Sequence, residues 1–257
     1  MFFAFKVVAP WPQEYPPGRI LEKDSRHLTL AFLGNIEEEK VKEILNEFPL
    51  PPFKVGPVGF FDKCQFLPAT NSHVVAWHVT GLEGLDLYYH EVADWLRAHQ
   101  FSIEKKNFLP HVSIARSPFK KEDWKKAFHP LPLKIEGLHL YESLGKLIYS
   151  PLWEYPLLSP FIEIEHTADL AFLIQAEMLQ DIYRHSKIAL AFKYPPLLDY
   201  YLKGERIEQD LNSIIMALNE AITRADSEIG CPLKAVSFHG NLCEEKGIYS
   251  WEMIVDV

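Results

Sequence analysis

Cysteine, glycine and long apolar runs are scarce in this sequence, and each scarcity excludes a class of protein. The three cysteines, Cys64, Cys231 and Cys243, are an odd number without metal-site spacing, which fits buried thiols in a reducing compartment. No apolar run approaches the roughly 18 residues of a membrane span. With 12 glycines and 24% charged residues, the composition is that of a globular protein. We therefore expect a cytoplasmic protein without a membrane partner.

Basic residues are fewer than acidic residues, and the difference lies mainly in the last third of the chain. Residues 1–158 carry 18 Lys and Arg against 19 Asp and Glu, whereas residues 159–257 carry 8 against 16. Proteins that coat nucleic acid usually display an excess of basic charge. Any nucleic acid is therefore expected to be held locally, and the acidic last third favours a basic protein over bare RNA as its partner.

The order of the predicted strands and helices, and a segment with two prolines, indicate two α+β domains. "MFFAFKVVAP" is too short for a signal peptide and lacks a basic lead, so it is interpreted as a first strand. Strands and helices then alternate in an order that occurs twice, which suggests two similar halves. The segment "PLLSP" at 156–160 is the expected joint, giving domains 1–158 and 159–257.

Several elements follow from hydrophobic periodicity and capping residues. A helix is predicted over residues 35–48, with Asn35 as its N-cap and Glu38 at the capping-box position, and a second helix over 84–99. Strands are predicted at "FKVGPVGFF" and "HVVAWHVT" and in the two long runs before residue 156. The second domain is expected to contain a strand pair or one long strand at 161–176, two helices at about 177–193 and 208–228, and closing strands.

Two strand-like runs, "HLTLAFLG" and "HVSIARS", begin with the same pattern 84 positions apart. Residues i and i+2 of a strand share a face, so His27 lies beside Thr29, and His111 beside Ser113. A pseudo-twofold packing of the halves would bring the four side chains to one cleft. Hydroxyls there can donate to a phosphate diester while one imidazole acts as base and the other as acid, since the ordinary histidine pKa is about 6.5. This chemistry requires no metal.

Chance is the alternative explanation. In a chain with eleven histidines, some are expected to be followed two residues later by serine or threonine without any function. His78, followed by Val79 and Thr80, is such a match, and it runs into "GLEGL" and a helix start rather than a continuing strand. The runs at His27 and His111 both continue with apolar alternation and occupy equivalent places in the two halves. We therefore assign the chemistry to those two histidines.

The two runs resemble the paired signatures of the two-histidine (2H) phosphoesterases, in the branch of RNA 2′,3′-cyclic phosphodiesterases also known as 2′-5′ RNA ligases. The resemblance covers residues 1 to about 158. It implies a bilobal α+β fold with pseudo-twofold lobes and hydrolysis of RNA 2′,3′-cyclic phosphate ends to a 2′-phosphate without a cofactor. His27 would be the proton donor to the leaving oxygen, His111 the acceptor from water, and Thr29 and Ser113 phosphate ligands. Ser113 stands where threonine is commoner.

Two further residues near the second run leave alternatives open. Arg116 lies five positions from His111, an odd offset that turns it away from the cleft on an ideal strand. It reaches a bound phosphate if the strand ends or bulges; otherwise it is a solvated or ion-paired arginine. Phe108 either stacks on a base or packs in the core.

The last hundred residues resemble archease, the small protein that assists the tRNA-splicing RNA ligase. The resemblance lies in "HTAD" at 166–169, in "KAVSFH" at 234–239 and in the terminal "DV". It implies a small α+β domain in which Asp169, Asp256 and the main chain of Val257 bind Ca²⁺ or Mg²⁺. The domain is shorter than archeases by some forty residues, and Ala176 stands where a glycine is expected.

Three functions therefore compete. The first is hydrolysis of RNA 2′,3′-cyclic phosphate ends in RNA end processing or tRNA splicing. The second keeps the same site for 2′-5′ linked oligonucleotides or a cyclic-phosphate nucleotide. The third is a noncatalytic accessory role for an RNA ligase, carried by the archease-like domain. Stimulation of ligase turnover by residues 159–257 alone, abolished by Asp169→Ala, would favour the third function over the other two.

Overall fold

The computed structural model describes residues 1–103, 107–201, 210–238 and 240–257. The chain divides into two compact units. The first comprises Met1–Pro52, Phe61–His129 and Ile135–Leu157, and the second comprises Phe53–Phe60, Pro130–Lys134 and Leu158–Val257. Within the residues described, no helix combines the length and the apolar composition that a membrane span requires.

A sheet of eight strands and three α-helices form most of the regular structure up to residue 156. The strands are β1 (Phe2–Val8), β2 (Arg19–Ile20), β3 (His27–Phe32), β4 (Val58–Leu67), β5 (Val74–Thr80), β6 (His111–Arg116), β7 (Leu131–Gly145) and β8 (Ile148–Pro156). The helices are α1 (Glu38–Lys42), α2 (Leu85–Ala98) and α3 (Lys121–Ala127). The strand order is β1-β3-β6-β5-β4-β7-β8, with β2 on β6 and a further pairing of β1 with β7.

Strands β3 and β6, which carry the two predicted runs, are antiparallel neighbours near the middle of this order. Leu28 pairs with Val112, and both side chains are fully buried. Helix α2 contacts β3. Its buried side chains, Leu85, Tyr88, Val92, Ala93 and Leu96, recur at helical spacing and form one apolar face. Burial of the alternate apolar residues therefore fixes which face of each strand carries the histidine and the hydroxyl.

The predicted helix over 35–48 is wrong in both its start and its length. Helix α1 begins at Glu38 after an extended Glu37, Asn35 makes no cap, and a short 3-10 turn follows at Leu45–Glu47. Phe48 is buried with extended backbone, and proline at the next position disfavours helical backbone there. The apolar residues with helical spacing therefore belong to a short helix and a following 3-10 turn rather than to one continuous helix.

The strand predicted over residues 53–61 is also displaced. Strand β4 begins at Val58 and continues to Leu67. Pro57 has no N–H to donate to a neighbouring strand, so the ladder starts at the residue after it. Before it, Val55 belongs to no strand and forms an isolated bridge with Leu158.

The second unit is built on a five-stranded sheet with helices packed on it. Its strands after residue 157 are β9 (Phe161–Ile164), β10 (Leu170–Ala176), β11 (Ala235–Val236), β12 (Cys243–Glu245) and β13 (Ile248–Asp256), in the order β11-β13-β10-β9 with β12 on β13. Its helices are α4 (Leu179–Lys193), α5 (Leu198–Tyr201) and α6 (Leu211–Ile229). Helix α4 contacts β10 and β13, and α6 contacts β11. The strand pair and both long helices predicted for this region are present.

Candidate active site

The two predicted histidines have the same local geometry. The Nδ1 atom of His27 lies 2.8 Å from the carbonyl oxygen of Ser25, and that of His111 lies 2.7 Å from the carbonyl oxygen of Leu109. A carbonyl oxygen only accepts, so each Nδ1 carries the hydrogen and donates it. The remaining nitrogen of each ring, Nε2, is left for proton exchange with another group.

Antiparallel pairing brings the two histidines and their hydroxyls to one place on the sheet. Because Leu28 pairs with Val112, His27 faces Ser113 across the two strands, and Thr29 faces His111. The four side chains border a cavity of about 460 Å³, the paired-histidine cavity. Its lining comprises Phe2, His27, Thr29, Phe32, Leu67, Pro68, His73, Val74, His111, Ser113, Arg116, Ser143 and Tyr149.

A β-bulge explains why Arg116 lines this cavity in spite of its odd offset. Ala76 of β5 pairs with Ser113, whereas the preceding Val75 pairs with Ala115, so one residue of β6 is extra. An extra residue reverses the alternation beyond it, and Arg116 therefore returns to the face of His111. The same irregularity occurs in β3, where the partners of consecutive β1 residues are Ala31 and Thr29. It brings Phe32 to the cavity at the position that corresponds to Arg116.

Within the part of the chain that the structure describes, no protein group satisfies the Nε atom of Arg116. Its Nε is buried and has no hydrogen-bond partner, and no carboxylate of the described residues lies within ion-pair distance of it. An unsatisfied buried donor is costly unless a ligand or water completes it. The free guanidinium, two hydroxyls and two imidazoles suit a bound phosphate group.

Aromatic rings surround His27 and make its protonation unfavourable. The centroids of Phe2, Tyr149 and Tyr141 lie 4.7, 5.0 and 5.7 Å from that of the imidazole. Desolvation by burial lowers the pKa of His27 to about 4, and the positive charges of His111 and Arg116 act in the same direction, against the bond to the carbonyl. Burial lowers the pKa of His111 as well. At neutral pH both rings are therefore predominantly uncharged in the free protein.

The N-terminal part of the chain is similar in sequence to known proteins. A family model described as LigT-like phosphoesterase matches residues 10–63. The RNA 2′,3′-cyclic phosphodiesterase of Thermotoga maritima is 30% identical over 138 residues, which cover 48% of this chain and 69% of that protein. The chain belongs to the LigT-like phosphoesterase family. The protein of the same name from Methanocaldococcus jannaschii is 32% identical over 104 residues, covering 39% of this chain and 56% of that protein.

Solved structures also align with this phosphoesterase. E. coli LigT complexed with 3′-AMP aligns with a TM-score of 0.43 and 23% identity, covering 61% of this chain and 96% of that chain. The protein TT0787 of Thermus thermophilus aligns with a TM-score of 0.46 and 18% identity, covering 62% of this chain and 97% of that chain. The family model and the Thermotoga maritima relative confirm the resemblance of the N-terminal part to this family, whereas the archease-like assignment of residues 159–257 stays a prediction.

His78, the histidine set aside in the sequence, lies immediately beside the site of this phosphoesterase. It is the cross-strand partner of His111 in the pairing of β5 with β6. Its Nδ1 lies 2.6 Å from Oδ1 of Asp62, a residue of β4. His78 does not line the paired-histidine cavity, but its positive form lowers the pKa of His111. It thus belongs to the surroundings of the site.

Sequence reasoning missed several cavity residues. Phe32 lines the cavity and its side chain is 67% exposed. The one sequence feature that could have indicated it is its position five residues after His27, the same spacing as that of Arg116 after His111. His73 and Tyr149 come from segments distant in sequence and carry no signal. Phe108 stacks on Tyr89 with centroids 4.5 Å apart and borders an adjoining cavity of about 660 Å³ that shares Thr29, Phe32 and His111.

The predicted metal ligands lie in the second unit. The register of β10 with β13 brings Asp169, which directly precedes β10, next to the end of β13 at Asp256 and Val257. Oδ1 of Asp256 lies 3.3 Å from Oγ of Ser237, and Oδ2 of Asp169 lies 3.8 Å from Nδ1 of His166. Over the described ranges, no group of three or more His, Cys, Asp or Glu side chains could hold a metal ion.

The register thus places the backbones of Asp169 and Asp256 opposite each other at the ends of two neighbouring strands. The predicted Ca²⁺ or Mg²⁺ site, which adds the main chain of Val257 to these two carboxylates, stays a prediction. Lys234 of the second archease-like motif donates to the carbonyl oxygen of Cys231 at 3.1 Å, and His239 of that motif lies outside the described residues. The accessory role toward an RNA ligase likewise stays a prediction.

Proposed function

We propose that this protein hydrolyses RNA 2′,3′-cyclic phosphate ends to 2′-phosphates by paired histidine catalysis. One observation carries the proposal: two imidazoles with equally fixed Nδ1 atoms border a cavity that also holds two hydroxyls and an unpaired guanidinium. Both curated relatives described above carry the name of this activity. The site itself supplies an acid, a base and anion ligands, so the proposed reaction requires no cofactor.

Each group has a role in the proposed step. A water oxygen attacks phosphorus while Nε2 of His111 takes its proton, and the bond from phosphorus to O3′ breaks. Protonated Nε2 of His27 gives its proton to O3′, which leaves as the 3′-hydroxyl. Thr29, Ser113 and Arg116 donate to the nonbridging oxygens, where negative charge accumulates in the transition state. The exposed ring of Phe32 offers a stacking surface to the terminal base.

An oligoribonucleotide ending in a 2′,3′-cyclic phosphate tests this proposal. In buffer containing EDTA, the wild-type protein is expected to convert it to the 2′-phosphate, identified by phosphorus NMR and mass spectrometry. A 2′-5′ linked oligonucleotide of the same sequence serves as the comparison substrate. A 3′-phosphate product would reverse the assigned leaving group, and an intact cyclic end would contradict the proposed activity.

The pH dependence of kcat/KM is expected to have its maximum below pH 6.5. The proposed step needs one neutral and one protonated histidine, and burial lowers the pKa of both, that of His27 to about 4. Above the higher value both rings are neutral and the acid is missing; below the lower value both are charged and the base is missing. The bell shape is the same whichever ring holds the proton.

The profile of kcat provides the control for this pH prediction. A bound phosphate anion stabilises the protonated rings, so the kcat maximum is expected at a higher pH than the kcat/KM maximum. Steady-state rates from pH 4 to 9 on one substrate, in buffers of constant ionic strength, measure both. A kcat/KM that rises steadily into the alkaline range would contradict the need for a protonated histidine.

A further inference from the structure

A second guanidinium lies beside Arg116. Arg19 of β2 pairs directly with Arg116 of β6, and opposed residues of an antiparallel pair project from the same face. Neither arginine has a carboxylate within ion-pair distance among the residues that the structure describes. Like charges in opposed positions destabilise a sheet, so this arrangement calls for an anion that the protein itself does not provide.

The contacts of Arg19 leave its terminal nitrogens open. Its Nε donates to the carbonyl oxygen of Ser117 at 2.7 Å, and this bond fixes the arm of an exposed side chain. No other side-chain hydrogen bond from Arg19 occurs within the described part of the chain. The two terminal nitrogens therefore present a planar fork of donors, the geometry that matches a phosphate.

A histidine, a lysine and an aromatic ring adjoin the same end of the paired-histidine cavity. His73 lines the cavity directly before Val74, the β5 partner of Arg116. Lys121 donates to Oγ of the neighbouring Ser72 at 3.0 Å, and its Nζ lies 5.5 Å from the ring centroid of Phe66. Basic groups interleaved with aromatic rings are typical of surfaces that bind single-stranded nucleic acid.

We propose that Arg19, with Lys121, forms a subsite for the RNA phosphodiester that precedes the terminal cyclic phosphate. This inference rests on the proposed function, in which Arg116 binds the terminal phosphate. Adjacent strands are about 5 Å apart, so the two arginine arms can serve two successive phosphates of one chain rather than one group. The subsite makes an oligoribonucleotide a better substrate than a nucleoside 2′,3′-cyclic phosphate, which has no preceding phosphate.

Arg19→Gln is the variant that tests the subsite in an activity assay. We expect kcat/KM to fall about tenfold on an oligoribonucleotide with a cyclic end, because a charge-assisted hydrogen bond is lost, and to stay unchanged on adenosine 2′,3′-cyclic phosphate. Lys121→Gln is expected to act in the same direction. Lys125→Gln is the matched control, since Lys125 also belongs to α3 but is ion-paired with Glu122 at 3.0 Å.

A binding measurement separates this inference from the proposed function. Affinity for an oligoribonucleotide with a 2′-phosphate end is followed by fluorescence anisotropy over a range of salt concentrations. Arg19→Gln is expected to reduce the slope of log K against log salt by about 0.7, the contribution of one single-strand phosphate. A reduced slope supports the subsite even if the wild-type protein proves inactive, which would refute only the proposed reaction. Wild-type slope and wild-type oligonucleotide kinetics in Arg19→Gln would overturn it.

Discussion

Replacement of His111 by alanine is expected to lower kcat/KM on a 2′,3′-cyclic phosphate substrate by about 10²-fold to 10⁴-fold, and His27→Ala by a similar factor. In each variant the cavity loses the Nε2 atom that the proposed mechanism uses to exchange a proton with water or with the leaving oxygen. The guanidinium and hydroxyls remain, so a residual rate from charge stabilisation is expected. Because the proposed mechanism uses the two rings in one step, the double variant should be scarcely slower than the slower single variant.

The matched control is His90→Ala, which removes an exposed histidine of α2 that lies 3.7 Å from Asp86. His27 contacts several rings, so His27→Gln accompanies His27→Ala to keep more of that packing. Initial rates are measured with each variant, and circular dichroism and thermal unfolding establish that the fold is retained. A folded His27 or His111 variant with rates like those of His90→Ala would refute paired histidine catalysis.

Alternation along the chain sufficed to predict how the two runs face the cavity. His27 and Thr29 had to share a face because Leu28 between them is apolar, and the same holds for His111 and Ser113 around Val112. The sequence offers no comparable rule for side chains that come from elsewhere. Tyr149 and His73 reach the cavity only because distant strands are neighbours in the sheet, and no local pattern encodes that proximity.

Local departures from ideal geometry were the second limit of sequence prediction. The bulge in β6 turns Arg116 to the face of the sheet that carries His111. No residue type marks this bulge in the sequence, because Ile114 and Ala115 are ordinary buried apolar residues. Helix α1 shows the opposite error. Its apolar spacing indicated a long helix, but the proline after Phe48 and the burial of that ring end the helical backbone early.

Arg116→Gln is expected to reduce kcat/KM by about 10²-fold to 10³-fold, the usual effect of removing a donor from an oxyanion site. The side chain is neither ion-paired nor hydrogen-bonded through its buried Nε, so the substitution disturbs few protein contacts. Charge on the nonbridging oxygens grows toward the transition state, and the loss should therefore appear mainly in kcat rather than in KM. Arg116→Lys is expected to recover only part of the rate, because lysine restores the charge without the planar fork.

Steady-state kinetics of both variants on adenosine 2′,3′-cyclic phosphate distinguish this role from that of a surface cation. A surface cation would steer the substrate, so its removal would affect kcat/KM at low salt and much less at high salt. A donor on the reacting phosphate keeps most of its effect in both conditions, because salt screens a direct contact much less than a long-range attraction. Arg19→Gln is the matched comparison, since Arg19 pairs with Arg116 in the sheet but does not line the cavity. If high salt erased the defect of Arg116→Gln, the bulge in β6 would serve the fold and not the chemistry.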